Sequence, residues 1–484
     1  MRKEDFIILF FILLTAIVFR LYKINTPLAD LHSWRQADTA AVARNFVKNG
    51  FDLLHPRFDD LSPNQSAAGL ENPEGYRMVE FPIYNAIFAF LYKNFPQLSL
   101  EIWGRITSIF FSLIIIALIY YFVLKETNIR MGAVASSLVY AVFPFFVFFS
   151  RAILPETTAL SFVFISIFFL YQTLNKSINR LTDFIFYFFS IIFFSLSILT
   201  KPTVIFYALV LVYIFYLKYK IKFLKNIGFY LYFLFSLLPF FLWRWHATKF
   251  PEGIPPSDWL ITSVNTYQGL KNIFLKPAFF RWVFFERINN LIFGGYLTFF
   301  FLLGVFGKLK KKLLYSFLAA AFLYLFTFQG GNVQHEYYQT VILPSSAIFI
   351  GLGLNCLLNY KKVFISAFLA YPLIFLIFIL SFFFSFYKVK DFYNYPPELP
   401  QIAKIINSLT LPDDKIITDR MGDTTLLYLA ERRGAPSVYK DPDELKKIGY
   451  KYLVTQNPEK IKEIKTKKNY QVVFENNQFV IFKL

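Results

Sequence analysis

The sequence predicts an α-helical polytopic membrane protein with about 11 transmembrane helices and a small extracytoplasmic α/β domain at its C-terminal end. Three observations predict it. Of the 484 residues, 56% are apolar and 21% aromatic, including 65 Phe, and the mean hydropathy is +0.47. At least ten apolar runs of about 17 to 25 residues are each long enough to cross a hydrocarbon layer of about 30 Å. Between the runs, Lys/Arg-rich loops alternate with loops that carry Asp, Glu and His.

That alternation sets the topology, because positive charge beside a span stays in the cytoplasm. Arg2 and Lys3, Lys125 and Arg130, Lys176 and Arg180, the runs Lys218, Lys220, Lys222, Lys225 and Lys308, Lys310, Lys311, Lys312, and the pair Lys361, Lys362 are therefore placed inside. Residues 23–101, Ser150 to Glu156, Thr200-Lys201-Pro202, 247–288, Gln329 to Gln339 and the chain beyond 388 fall outside.

Taken in order, the predicted spans are 6–22, 103–124, 131–149, 157–174, 184–199, 202–217, 226–245, 289–306, 313–328, 338–358 and 363–386. Arg2 and Lys3 ahead of an apolar run could open a signal peptide, but no small-residue cleavage site follows, so the run reads as a retained first span. Phe81 to Phe95 is short and interrupted by Asn85; letting it cross would invert the later basic loops. It reads as an interfacial or half-inserted helix.

The domains are then 1–390, a transmembrane module whose first outer loop 23–101 carries interfacial helices, and 391–484, the outer α/β domain. In the loop, Asp38 to Lys48 has helical spacing, with Val42, Phe46 and Val47 on one face. In the tail, Gln401–Leu409, Thr424–Arg433 and Pro458–Lys467 read as helices. Lys415–Thr418, Tyr452–Thr455, Tyr470–Phe474 and Phe479–Phe482 read as strands, the last two joined by a turn at Glu475-Asn476-Asn477.

Composition excludes some classes. The formal charge of +19 sits at span ends, where membrane lipids account for it, so nucleic acid is not a partner. A single cysteine, Cys356, cannot form a disulfide or a Cys-based metal site within one chain and reads as a small buried hydrophobe. No Walker or Rossmann glycine pattern occurs, so no nucleotide cofactor is expected.

The candidate reactive residues all lie in the outer segments. Asp30, His32, Arg35 and Asp38 follow the first span directly. A carboxylate there can take a proton from an acceptor hydroxyl, and a cation can hold an anionic leaving group; alternatively Asp38 caps the following helix and Asp30 is a polar loop residue. Glu80 precedes Phe81-Pro82-Ile83-Tyr84, where a carboxylate needs a partner, or else serves as a helix N-terminal acid. Arg151, Glu156, Lys201, Arg244 and His246 lie at outer span ends, where cations suit a lipid phosphate or snorkel to the interface. Gln329 to Gln339, with His335, Glu336, Tyr337 and Tyr338, can hold a sugar or a metal, or form an aromatic belt.

In this order (the acidic motif, Glu80-Phe81-Pro82-Ile83-Tyr84, Ser150-Arg151 through Pro155-Glu156, Thr200-Lys201-Pro202, and His335-Glu336-Tyr337-Tyr338 before Leu343-Pro344) the chain resembles the GT-C class of integral-membrane glycosyltransferases. The protein O-mannosyltransferase and aminoarabinose transferase families are the most similar. The resemblance covers essentially the whole chain.

It implies an inverting transfer of one sugar from a polyprenyl-phosphate donor to a hydroxyl of a lipid, glycan or protein acceptor, at the outer face of a cell (inner or plasma) membrane. It implies a carboxylate base in the first outer loop. Those families carry an adjacent Asp-Glu pair before a helix with Ala-Arg, but counting back from Ala43-Arg44 lands on Arg35-Gln36, which leaves the base between Asp30 and Asp38. Glu80 and His335 would bind a divalent cation or orient substrate. His32, Arg35, Arg151, Glu156, Lys201, Arg244, Tyr337 and Tyr338 would hold the donor phosphate and substrate. A transporter or flippase predicts ionisable residues near mid-span, whereas here they cluster at one set of span ends. A polysaccharide polymerase or ligase and a non-catalytic glycolipid-binding relative share the topology.

Overall fold

The computed structural model describes residues 1–174, 179–262, 277–359, 367–468 and 470–484. Lys176, Lys361, Lys362 and residues 363–366 of the last predicted span lie outside the described residues. Contacts divide the chain into two compact units. The first comprises Met1–Ile24, Arg105–Leu242 and Asp258–Phe392; the second comprises Asn25–Gly104, Trp243–Ser257 and Tyr393–Leu484.

The first unit is helical. Among the described residues of the whole chain, six helical stretches are long and apolar enough to cross a membrane: Leu100–Thr127, Arg180–Thr200, Pro202–Lys225, Ile227–Ala247, Glu336–Leu358 and Leu369–Leu409. Pro277–Ile292 and Leu297–Phe306 reach that length only as a pair bent by 114°. Arg130–Val142, Glu156–Gln172 and Leu313–Thr327 are apolar but shorter, and the first helix, Lys3–Arg20, carries charge at both ends. Each of the eleven predicted spans contains helix, while six or seven have full membrane length.

Helix breaks fall where proline removes a donor and disfavours helix in the residue before it. Arg130–Val142 stops at Phe143, ahead of Pro144. Arg20, fully buried, fills this break: its guanidinium donates to the carbonyls of Tyr140 at 2.9 Å and Ala141 at 2.7 Å. These are carbonyls that the end of a helix leaves without an intrahelical partner. Elsewhere glycine permits backbone contact: a Cβ on Gly353 would lie 1.7 Å from the Phe300 carbonyl oxygen, which locks Leu343–Asn359 against Leu297–Phe306.

The second unit holds a five-stranded sheet of order β2-β1-β3-β5-β4, with β1 Lys415–Ile417, β2 Gly434–Ala435, β3 Tyr450–Thr455, β4 Gln471–Glu475 and β5 Val480–Lys483. β1 pairs in parallel with β2 and β3, and β5 is antiparallel to β3 and β4. The β4–β5 turn is closed by the Asn476 side chain, which accepts from the backbone N–H groups of Gln478 and Phe479. One core face packs Leu399, Ile402 and Ile406 of the Glu398–Leu409 helix on Ile416, Val454 and Ile481, and takes in Ala29 from the segment after the first span. The strands and helices predicted in the tail are present, although the predicted helix Thr424–Arg433 is confined to Thr425–Leu429; the two-residue strand β2 and the helix Pro442–Lys447 were too short to carry a periodic signal.

Residues Asn25–Gly104, which hold most of the predicted loop 23–101, belong to the same unit as this sheet. Its Asp59-Asp60-Leu61 segment runs along β2: Gly434 N–H donates to Asp59 O at 2.9 Å, and Leu61 N–H donates to Gly434 O at 2.7 Å. This covers a sheet edge whose groups would otherwise be open.

Candidate functional site

The loop helix is Ser33–Asn49, longer at its start than predicted, and Asp38 does not cap it. His32 occupies the cap position in the left-handed region, with φ 56 and ψ 35, and its carbonyl accepts from the N–H groups of Arg35 and Gln36. This early turn moves the helix start upstream and puts Asp38 in the helix interior. A left-handed non-glycine residue is an uncommon conformation for which His is one of the better-suited types.

Two side chains of this helix meet acidic partners, and a third is itself the acid. Gln36 Nε2 donates to Asp30 Oδ1 at 2.7 Å and to Leu31 O at 3.0 Å. Arg35 ion-pairs with Glu80 at 2.6 Å, both side chains largely buried. Asp38 pairs with Arg77 at 3.0 Å and accepts from Thr424 Oγ1 at 2.7 Å and Gln65 Nε2 at 3.4 Å. Burial pushes the Asp38 carboxyl above its ordinary pKa against the pull of Arg77, and lowers Arg77 in turn. Asp38 therefore ties the loop helix to the C-terminal domain through Thr424.

Glu80 stands ahead of the helix Ile83–Asn94, for which Pro82 is the cap residue. Asn85, the polar residue that interrupts this apolar stretch, donates to Thr39 O at 2.7 Å and so joins the two loop helices. Trp243 and Arg244 reach the 78–81 segment: Arg244 donates to Met78 O at 3.4 Å, and the Trp243 ring lies 5.1 Å from that of Phe81. Sequence grouped Arg244 with Arg151 and Lys201; contacts assign it to the second unit and the other two to the first.

In the first unit, two proline breaks bring Glu156 and Lys201 together. Glu156 opens its helix after Pro155, and Lys201 is extended ahead of Pro202, with φ -155 and ψ 107. Their ion pair spans 2.9 Å, with side chains 3% and 9% exposed. Lys201 Nζ lies 6.0 Å from the centroid of the Tyr338 ring, which stacks on Tyr337 at 4.5 Å; Tyr337 in turn stacks on His335 at 5.5 Å. Arg151, 1% exposed, donates to Tyr22 O at 2.6 Å. Glu336 ion-pairs with Arg287, which also donates to Val333 O at 3.1 Å.

Arg35 engages Glu80, and no group of three His, Cys, Asp or Glu side chains that could hold a metal ion occurs among the described residues. The sequence reading missed Gln36, Arg77, Thr424 and Arg287. Arg77 sits in an ordinary polar loop and Thr424 at the start of a predicted helix, neither with a local signal for its partner, whereas Arg287, in the predominantly apolar stretch Arg281–Ile292, stands out as a charge that needs one.

Comparisons with known proteins agree with this architecture. A family model for dolichyl-phosphate-mannose-protein mannosyltransferase matches residues 82–245. No curated protein matches the chain by sequence. The structure is similar to ArnT from Cupriavidus metallidurans bound to undecaprenyl phosphate, at TM-score 0.68 and 13% identity, covering 98% of this chain and 97% of that one. It is also similar to the Archaeoglobus fulgidus oligosaccharyltransferase tethered with an acceptor peptide, at TM-score 0.60 and 10% identity over 94% of this chain and 69% of that one. The archaeal oligosaccharyltransferase AglB in complex with an inhibitory peptide and a dolichol-phosphate matches at TM-score 0.57 and 10% identity, over 96% and 70%. A likeness running over nearly the full length of both chains, with the mannosyltransferase match inside it, gives this multi-pass membrane protein the fold of the GT-C class of glycosyltransferases.

Proposed function

We propose that this chain transfers one sugar from a polyprenyl-phosphate carrier to an acceptor hydroxyl, with inversion at the anomeric carbon, at the outer face of a cell membrane. The observation that carries the reading is the end-to-end likeness to ArnT, whose structure holds undecaprenyl phosphate. The acceptor oxygen forms the new bond to the anomeric carbon, the bond from that carbon to the phosphate oxygen breaks, and its electron pair leaves with the phosphate. The acceptor proton goes to a carboxylate.

We assign the base to Asp30. Asp38 is committed to Arg77 and Thr424 inside the loop helix, while Asp30 follows the first span directly and its Oδ1 accepts from Gln36 Nε2, which orients the carboxylate. Arg35 and Glu80 position this segment. Lys201 and Arg151 are assigned to the phosphate, and Tyr337 and Tyr338 to the sugar. No step is routed through a metal. Eleven crossings, with the basic loops inside and residues 391–484 outside, complete the reading.

The test is turnover of polyprenyl-phosphate-linked sugars by the purified protein. Asp30→Asn is expected to lower the rate by about 10²-fold or more with an unchanged melting temperature. Asp38→Asn is expected to lower the melting temperature, because it leaves Arg77 buried without its counter-charge. Full turnover by Asp30→Asn would refute the assignment of the base; no release of polyprenyl phosphate from any donor would refute the function.

A further inference from the structure

We propose that a cavity of about 1010 Å³ in the helical unit binds the head group of an anionic glycerophospholipid. Its walls come from segments that the Lys/Arg pattern places on the cytoplasmic side, so it is independent of the proposed transfer site. Six lining residues are cations: Lys125, Arg180, Lys218, Lys310, Lys311 and Lys312. Two, Glu126 and Asp183, are carboxylates.

Both carboxylates are already engaged. Asp183 is held by Lys218 at 2.8 and 3.0 Å, and Glu126 accepts from Tyr171 at 2.6 Å and lies 3.6 Å from Lys311. Lys125, Arg180, Lys310 and Lys312 make no ion pair with any described residue, which leaves an uncompensated positive wall suited to a phosphate. Basic pockets between membrane helices on the cytoplasmic side are the places where anionic lipid head groups bind.

The second observation is a seat for the acyl chains. Arg180 opens the helix Arg180–Thr200, and the residues that follow it at helical spacing, Leu181, Phe184, Ile185, Phe188 and Phe189, are 67%, 66%, 39%, 50% and 40% exposed. A charged cavity lined by Arg180 and Asp183 of a helix that also carries this exposed apolar stripe fits a molecule with a phosphate at one end and hydrocarbon at the other. A soluble anion would use only the first.

Delipidated full-length protein, titrated with dioleoyl-phosphatidylglycerol and dioleoyl-phosphatidylcholine under native mass spectrometry, tests this. Retention of phosphatidylglycerol over phosphatidylcholine is expected. The triple variant Lys125→Gln, Arg180→Gln, Lys312→Gln is expected to bind phosphatidylglycerol at least about tenfold more weakly. A control, Lys222→Gln with Lys225→Gln, removes same-side charge that does not line the cavity and is expected to bind as the wild type does. Equal binding by the triple variant, or equal loss in the control, would overturn the proposal. Displacement by inorganic phosphate would overturn it in favour of a soluble anion. On the wild-type protein, a phosphatidylglycerol with a photoreactive acyl chain is expected to label residues 181–189; labelling elsewhere only would also overturn it.

Discussion

Lys201 and Glu156 form a nearly buried ion pair, and such pairs gain little net stability because desolvation offsets the attraction. A cation kept there at that cost points to binding. Lys201→Ala is expected to raise the KM for a lipid-linked donor by about tenfold or more while kcat stays within about threefold. The double variant Lys201→Ala with Glu156→Gln, which leaves no unpaired carboxylate, should share the KM effect and recover the melting temperature; a change confined to kcat would remove Lys201 from phosphate binding. Asp60 makes a different prediction. Burial pushes its carboxyl up to about 7, despite hydrogen bonds from the Ser62 N–H and hydroxyl, with the negative Asp38 adding to the rise. The folded protein therefore keeps a proton that the unfolded chain releases, and stability falls as pH rises from about 4 to about 7 and is flat above, as far as this group is concerned. Asp60→Asn preserves the oxygen that Ser62 uses. It should match the wild type near pH 4 and exceed it at pH 8 by up to about 4 kcal/mol, read as a higher melting temperature.

At the scale of elements, the C-terminal domain depends on close backbone approach at β2. A Cβ on Gly434 would fall 1.8 Å from the Ile416 carbonyl oxygen, and the same residue bonds the Asp59-to-Leu61 segment on its other side. Gly434→Ala is expected to cost about 1–3 kcal/mol and to speed hydrogen exchange in β1 and in residues 59–61 together. Exchange raised in β1 alone would separate the loop from the sheet. The loop helix is tied in by side chains as well: Arg44 donates to Tyr428 O at 2.6 Å and lies 4.5 Å from the Tyr428 ring, and Lys48 pairs with Glu431. These contacts explain why Arg44, a charged residue in a predicted surface helix, is largely buried.

At the scale of the whole molecule, the proposed topology puts residue 484 on the outer side. An alkaline phosphatase fused after Leu484 should be active and a fluorescent protein fused there dark; the reverse pattern would show that the number of crossings has the wrong parity. The apolar runs, the basic loops and the tail's alternating periods were readable in the chain because each is a local pattern, repeated every two or about 3.6 residues or placed beside a span. The candidate site was readable only in part. Asp30, Arg35, Glu80 and Lys201 stood out as polar residues at span ends, yet no pattern along the chain could pair Arg35 with Glu80, 45 positions away, or Asp38 with Thr424, 386 positions away. Hydrophobic periodicity reports which face of an element is buried, whereas the partner of a buried charge depends on how distant loops fold back. That is why tertiary structure was needed to turn Asp38 from a possible helix cap into a strut inside its helix.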